Sequence, residues 1–176
     1  METSKFNNFD STQKSDKKKI SDAKKLKWCF RLKDGLKIVE PNERLSKSYL
    51  EQAKSSLLKA EKDLNDNDLL WATVAIYYAE YYALYSFLQR IGVKCENHVC
   101  SILAVGLLLG EDKTKTINQH KDKRIDAQYY MKVDQEIKVR IMLQEAKIFV
   151  STFDEVVSKL SENEIKLYRE AISKNK

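Results

Sequence analysis

At 176 residues the chain has the size of one domain and can bury a substantial core. One proline, four glycines and a charged fraction of 33% favour a helical protein over a sheet protein. The net charge of +6 is uneven: residues 1–40 hold eleven Lys or Arg against six Asp or Glu, and the remainder holds 21 against 20. The first residues are polar and lysine-rich without an apolar run, so no secretory signal is expected. Three cysteines in such a chain point to reduced thiols in a cytoplasmic protein.

Residues 1–26 have the composition of a disordered basic leader, because Phe6, Phe9 and Ile20 cannot build a core alone. A leader of this kind either holds a nucleic acid or membrane surface through counterion release or is a solvated tail. Over residues 27–41, Trp28, Phe30 and Leu32 alternate with polar residues, and Asp34-Gly35 is a two-residue turn signal ahead of Leu36, Ile38 and Val39. That pattern predicts an extended arm or a small hairpin lying against a helical domain that fills residues 42–176.

After Pro41-Asn42 a first helix runs to about Asn65, with Leu45, Tyr49, Ala53, Leu57, Ala60 and Leu64 forming one apolar stripe. The next helix, Leu69 to Leu88, is apolar nearly all round, which places it inside a bundle. At about 1.5 Å per residue it is roughly 30 Å long, enough to be the axis of a domain. Asn67 or Asp68 can cap its start, and Gly92 sits where a left-handed terminator is wanted. Its length matches a membrane span, but Glu80 near the middle and the tyrosine content fit a soluble core better. A third helix is expected over Glu96–Leu109, a charged loop over 110–125, and a long helix over Val133–Leu160. Ser161 and Glu164 have capping-box spacing ahead of a short last helix with Leu167, Tyr168, Ala171 and Ile172. The expected fold is all-α: an up-and-down bundle of four main helices plus a short C-terminal one.

The tyrosine-rich YYAEYYALYSFLQRIG runs into a glycine stop and a histidine, GVKCENH, followed after a polar gap by RIDAQYY and EAKIFVSTFDEVV. This order resembles the HEPN domain, and is most similar to small stand-alone archaeal and bacterial members over about residues 28–160. The resemblance implies a helical bundle that forms homodimers. It also implies one of two activities: partnership with a minimal nucleotidyltransferase in a toxin–antitoxin-type pair, or metal-independent ribonuclease action. The family's ribonuclease motif has Arg, four to six residues, then His; here seven residues separate Arg90 from His98. RIDAQYY follows the family's Arg-x-x-Ala-x-Tyr stretch at Arg124, Ala127 and Tyr129.

Metal-free RNA cleavage needs a group that takes the 2′-hydroxyl proton and a cation for the phosphorane charge. His98 suits the first task, since an imidazole titrates near neutrality. Arg90 or Arg124 suits the second through bidentate contact with phosphate oxygens. The plainer alternative makes His98 a helix-start residue bonded to backbone, with Arg124 and Tyr129 fixing a loop to the bundle. Candidate binding residues are Tyr129, Tyr85 and Glu80, the last being the lone acid of the core helix, where burial can tune a carboxyl group or a neighbour can satisfy it. Cys95, His98, Cys100 and Cys29 invite a zinc reading, but Cys100 would point away from the other two on a helix and is better a small core residue. No cofactor is expected: GLLLG at 106–110 lacks the lysine and context of a phosphate loop, and no Glu-x-x-His pair exists for a di-iron site. A dimeric interaction protein or nucleotide- or RNA-binding module is therefore favoured over an enzyme, without a membrane role.

Overall fold

The computed structural model describes residues 24–176. In chain order the elements are α1 (residues 24–31), β1 (Lys37–Ile38), α2 (Glu43–Asn65), α3 (Leu69–Arg90), β2 (Val93–Lys94) and α4 (His98–Leu109). A 3-10 turn (Glu111–Thr114) then leads into α5 (Lys115–Tyr130), α6 (Glu136–Lys159) and α7 (Glu162–Ser173). The chain is an all-α bundle with one two-stranded antiparallel ribbon, β1 with β2.

α3 is the axis. Between Ala72 and Gln89 every side chain except Tyr78 and Tyr82 is buried, and α2, α4, α5 and α6 all pack on this helix. Three successive helices, α2, α3 and α4, begin on side-chain caps, whereas α5 has none. Asn42 accepts from Leu45 N at 2.9 Å, Asp68 from Trp71 N at 3.1 Å and Asn97 from Cys100 N at 3.1 Å. Gly92, at φ 71°, turns the chain out of α3, where an L side chain would be strained and would meet Arg169. Arg169 on α7 uses that space, donating to the carbonyls of Val39 and Ile91 at 2.7 and 3.0 Å. The main core gathers Tyr77, Leu84, Phe87, Leu88, Phe149 and Phe153. A second cluster at the α2–α3–α6 end is built on Ala60, Ala72, Ala75 and Ala146, whose small side chains let the helices approach. The capping box at Ser161 and Glu164 forms as expected.

Three expectations need correction. The expected loop over 110–125 is, beyond Gly110, a 3-10 turn and most of α5, so five helices of 12 to 24 residues precede α7. α5 has only Ile117, His120 and Ala127 buried, so its inward face carries too little apolar character to show a stripe. Second, of the extended arm or small hairpin expected over 27–41, the part up to residue 31 is helical, and the part beyond Gly35 is an extended arm rather than half of a local hairpin. Leu26 and Cys29 face inward at helical spacing while Trp28 is 52% exposed, and the extended half, β1, pairs with β2 instead. Gly35 makes this turn possible, because a Cβ there would run into the Cys29 carbonyl oxygen. Third, Cys29 and Cys100 are not free thiols: they form a disulfide with their Cα atoms 5.7 Å apart, leaving Cys95 as the buried free cysteine. The basic leader expected over 1–26 lies outside the described residues, except for 24–26 in α1.

Candidate functional site

His98 is the first residue of α4, and the Asn97 cap fixes the direction in which its ring leaves the helix. Tyr77 and Tyr81, four apart on α3, share the face opposite it. Tyr81 stacks flat on the imidazole at 3.7 Å with 9° between planes, and Tyr77 Oη lies 2.7 Å from His98 Nδ1 in a shared hydrogen bond. Above them α5 delivers Arg124. Its guanidinium lies 4.9 Å from the Tyr77 ring centre, 5.8 Å from that of Tyr78 and 5.9 Å from that of Tyr129. Arg124 Nη1 donates to Gln128 Oε1 at 3.3 Å, and its buried Nε has no hydrogen-bond partner. Among the described residues no carboxylate forms an ion pair with it.

The electrostatics follow from that geometry. Burial, helped by the Arg124 charge, lowers the His98 pKa to about 4, so the ring is neutral at pH 7. Burial also raises Tyr77 to about 12, against the opposing pull of Arg124, so its hydroxyl keeps its proton. The result is a half-buried cation that no carboxylate pairs with among the described residues, set among neutral aromatic donors and acceptors. Such an arrangement favours an anion, and a phosphate oxygen would satisfy the guanidinium donors that Gln128 leaves open.

Of the candidate residues, the structure brings together His98 and Arg124, with the 66% exposed Tyr129 at the edge of the guanidinium. Arg90 does not join them. It reaches Glu162 at 3.3 Å and ties the end of α3 to the start of α7. Tyr85 is buried, accepting from Cys95 N–H at 3.2 Å and meeting Tyr49 edge-on at 4.9 Å. Glu80 is fully buried and bonds His120 Nδ1 at 2.8 Å, beyond reach of any bound molecule. The joining of Cys29 to Cys100 removes both as thiolate ligands, and among the described residues no group of three His, Cys, Asp or Glu could hold a metal. Tyr77, Tyr78 and Tyr81 lie in a helix that is apolar nearly all round, so nothing local sets them apart from core residues. Gln128 gave no signal without a helix over 115–130, which places it one turn from Arg124.

No curated protein and no solved structure matches the chain. The family model described as HEPN domain matches residues 46–163, which span α2 to the start of α7 and contain all of the site residues. A match over that much of a 176-residue chain, on a bundle of the expected class, establishes that the protein belongs to the HEPN domain family.

Proposed function

We propose that this HEPN protein is a nucleotide- or RNA-binding module in which Arg124 takes the phosphate and Tyr77, Tyr78 and His98 form the wall behind it. Family membership supports a nucleotide- or RNA-related role in general. The observation that carries the specific reading is Arg124, which no carboxylate pairs with among the described residues, with its buried Nε unpaired and its guanidinium framed by tyrosine rings. A buried donor left unpaired costs about 1–3 kcal/mol, and a phosphate removes that cost on binding. The neighbouring Tyr129 and Tyr130, 66% and 65% exposed, offer rings on which a base can stack.

A ribonuclease reading has one observation in its favour: His98 is neutral and its Nδ1 is held by Tyr77, which leaves Nε2 for a substrate proton. The same burial counts against it. A base with a pKa of about 4 is poorly matched to work at neutral pH. Arg90, engaged by Glu162, leaves Arg124 as the cation of that alternative. In the working assembly we place two copies of the chain with a minimal nucleotidyltransferase as partner, in a toxin–antitoxin-type pair. Exposed Ile137, Ile141 and Ile148, aligned along α6, support a protein-contact face.

The test is fluorescence anisotropy of labelled single-stranded RNA with the full chain in EDTA, beside Arg124→Ala and His98→Ala. Arg124→Ala is expected to weaken binding at least tenfold, in line with about 1.5–3 kcal/mol for a hydrogen bond to a charged group. Equal binding by both proteins overturns the assignment. Cleavage of the RNA that His98→Ala abolishes would favour the ribonuclease. Sedimentation of the same samples as a monomer would remove the homodimer.

A further inference from the structure

One cluster with a buried imidazole, a buried carboxyl group and a second, half-exposed carboxylate lies outside the site. Glu80 on α3, at 0% exposure, bonds His120 Nδ1 at 2.8 Å, and Glu145 on α6 bonds His120 Nε2 at 3.1 Å. His120 itself is 3% exposed, and Glu80 Oε2 is buried without a partner. Three helices thus meet at one imidazole with a carboxylate on each side. Burial pulls the His120 pKa down, but the hydrogen bonds and charges of Glu80 and Glu145 outweigh it and raise the value above that of an ordinary histidine. Burial raises the Glu80 pKa as well, against the opposing pull of His120, so the two groups share one proton across the 2.8 Å bond while the other ring nitrogen faces Glu145.

His120 is the one polar side chain of α5 that is buried. The helix's other buried side chains are Ile117 and Ala127. Arg124 stands one helical turn beyond His120, on the same face. Whatever sets the height and rotation of α5 therefore sets where the guanidinium sits relative to Tyr77 and His98.

We propose that Glu80, His120 and Glu145 are positioning residues, a clamp that pins α5 between α3 and α6 and so holds Arg124 over Tyr77 and beside His98. Their importance for ligand binding rests on the function proposed above, but the clamp itself can be read without any ligand. Arg124 helps keep the His98 pKa low, so His98 reports the position of Arg124.

The chain has two histidines, so in His120→Ala the single imidazole resonance is that of His98. Its titration is followed by proton–nitrogen NMR on wild type, His120→Ala, Arg124→Ala and the double variant. With the clamp released, the His98 pKa is expected to rise from about 4 part of the way toward 6.5. The double variant is expected to match Arg124→Ala, because a direct charge effect of His120 would persist without Arg124 whereas a positioning effect would not. An unchanged His98 pKa in a helical His120→Ala protein overturns the clamp, as does an additive shift in the double variant. If His120→Ala does not fold, Glu145→Ala decides. Loss of that negative charge would by itself lower the His98 pKa, so a rise supports the clamp and a fall or no change overturns it. Failure of wild type to bind RNA, with these shifts present, would refute the binding function and leave the clamp standing.

Discussion

At the scale of single residues, the chemistry of His98 is set by what covers it. An imidazole stacked on Tyr81, bonded to Tyr77 and facing Arg124 cannot take a proton cheaply, and its pKa falls to about 4. A folded-state value below the unfolded value near 6.5 means that the unfolded chain binds more protons between those limits. His98 therefore supports stability above about pH 6.5, and that support is lost as the pH falls toward 4. His98→Asn carries no such proton, so it should lose less stability than wild type on going from pH 7 to pH 5. Urea midpoints at the two pH values give the comparison, and an equal loss in both proteins would place His98 in water. The sequence pointed to His98 and Arg124 through the family resemblance, but it could not choose between Arg90 and Arg124. That choice belongs to Glu162, which takes Arg90 from another helix, 72 positions away.

At the scale of elements, α5 is the instructive case. Its sequence, KTINQHKDKRIDAQYY, is mostly polar and has no apolar stripe, and such a run between two apolar ones looks like a loop. It is a helix because a histidine between two carboxylates does the anchoring that an apolar stripe does elsewhere. Periodicity of hydrophobic residues is blind to a helix held this way. The helix ends on Met131, a non-glycine residue at φ 56° and ψ 27° that is 72% exposed. The left-handed conformation costs an L residue about 1–2 kcal/mol, and an exposed methionine loses little packing on removal. Met131→Gly is expected to raise stability by about 0.5–1 kcal/mol after the unfolded-state entropy of glycine is set against that strain. Thermal denaturation checks this, and a lowered midpoint would show that the Met131 side chain contributes packing at the cap.

At the scale of the whole molecule, α1 is fastened across the bundle. The Cys29–Cys100 bond closes a loop of sequence separation 71 and anchors α1 two residues from His98. Chain entropy for a loop of that length is worth about 4 kcal/mol. Cys29→Ser should lower stability by up to that amount. In denaturant without reductant, alkylation and intact mass should find one reactive thiol, Cys95, and three after reduction. Three reactive thiols before reduction would contradict the bond. By itself the sequence determined the helical class, the axis α3 with a cap at Asn67 or Asp68, the capping box at Ser161, and the course of α2, α4 and α6. Those features depend on residues within one or two helical turns, so spacing and cap chemistry reveal them. Only the tertiary structure decided that Arg124 and not Arg90 meets His98, that Cys29 pairs with Cys100, and that His120 joins Glu80 and Glu145 from 40 and 25 positions away. Each of those pairings has a partner on another helix, and no local pattern encodes which helices will face each other once the apolar surfaces have been buried.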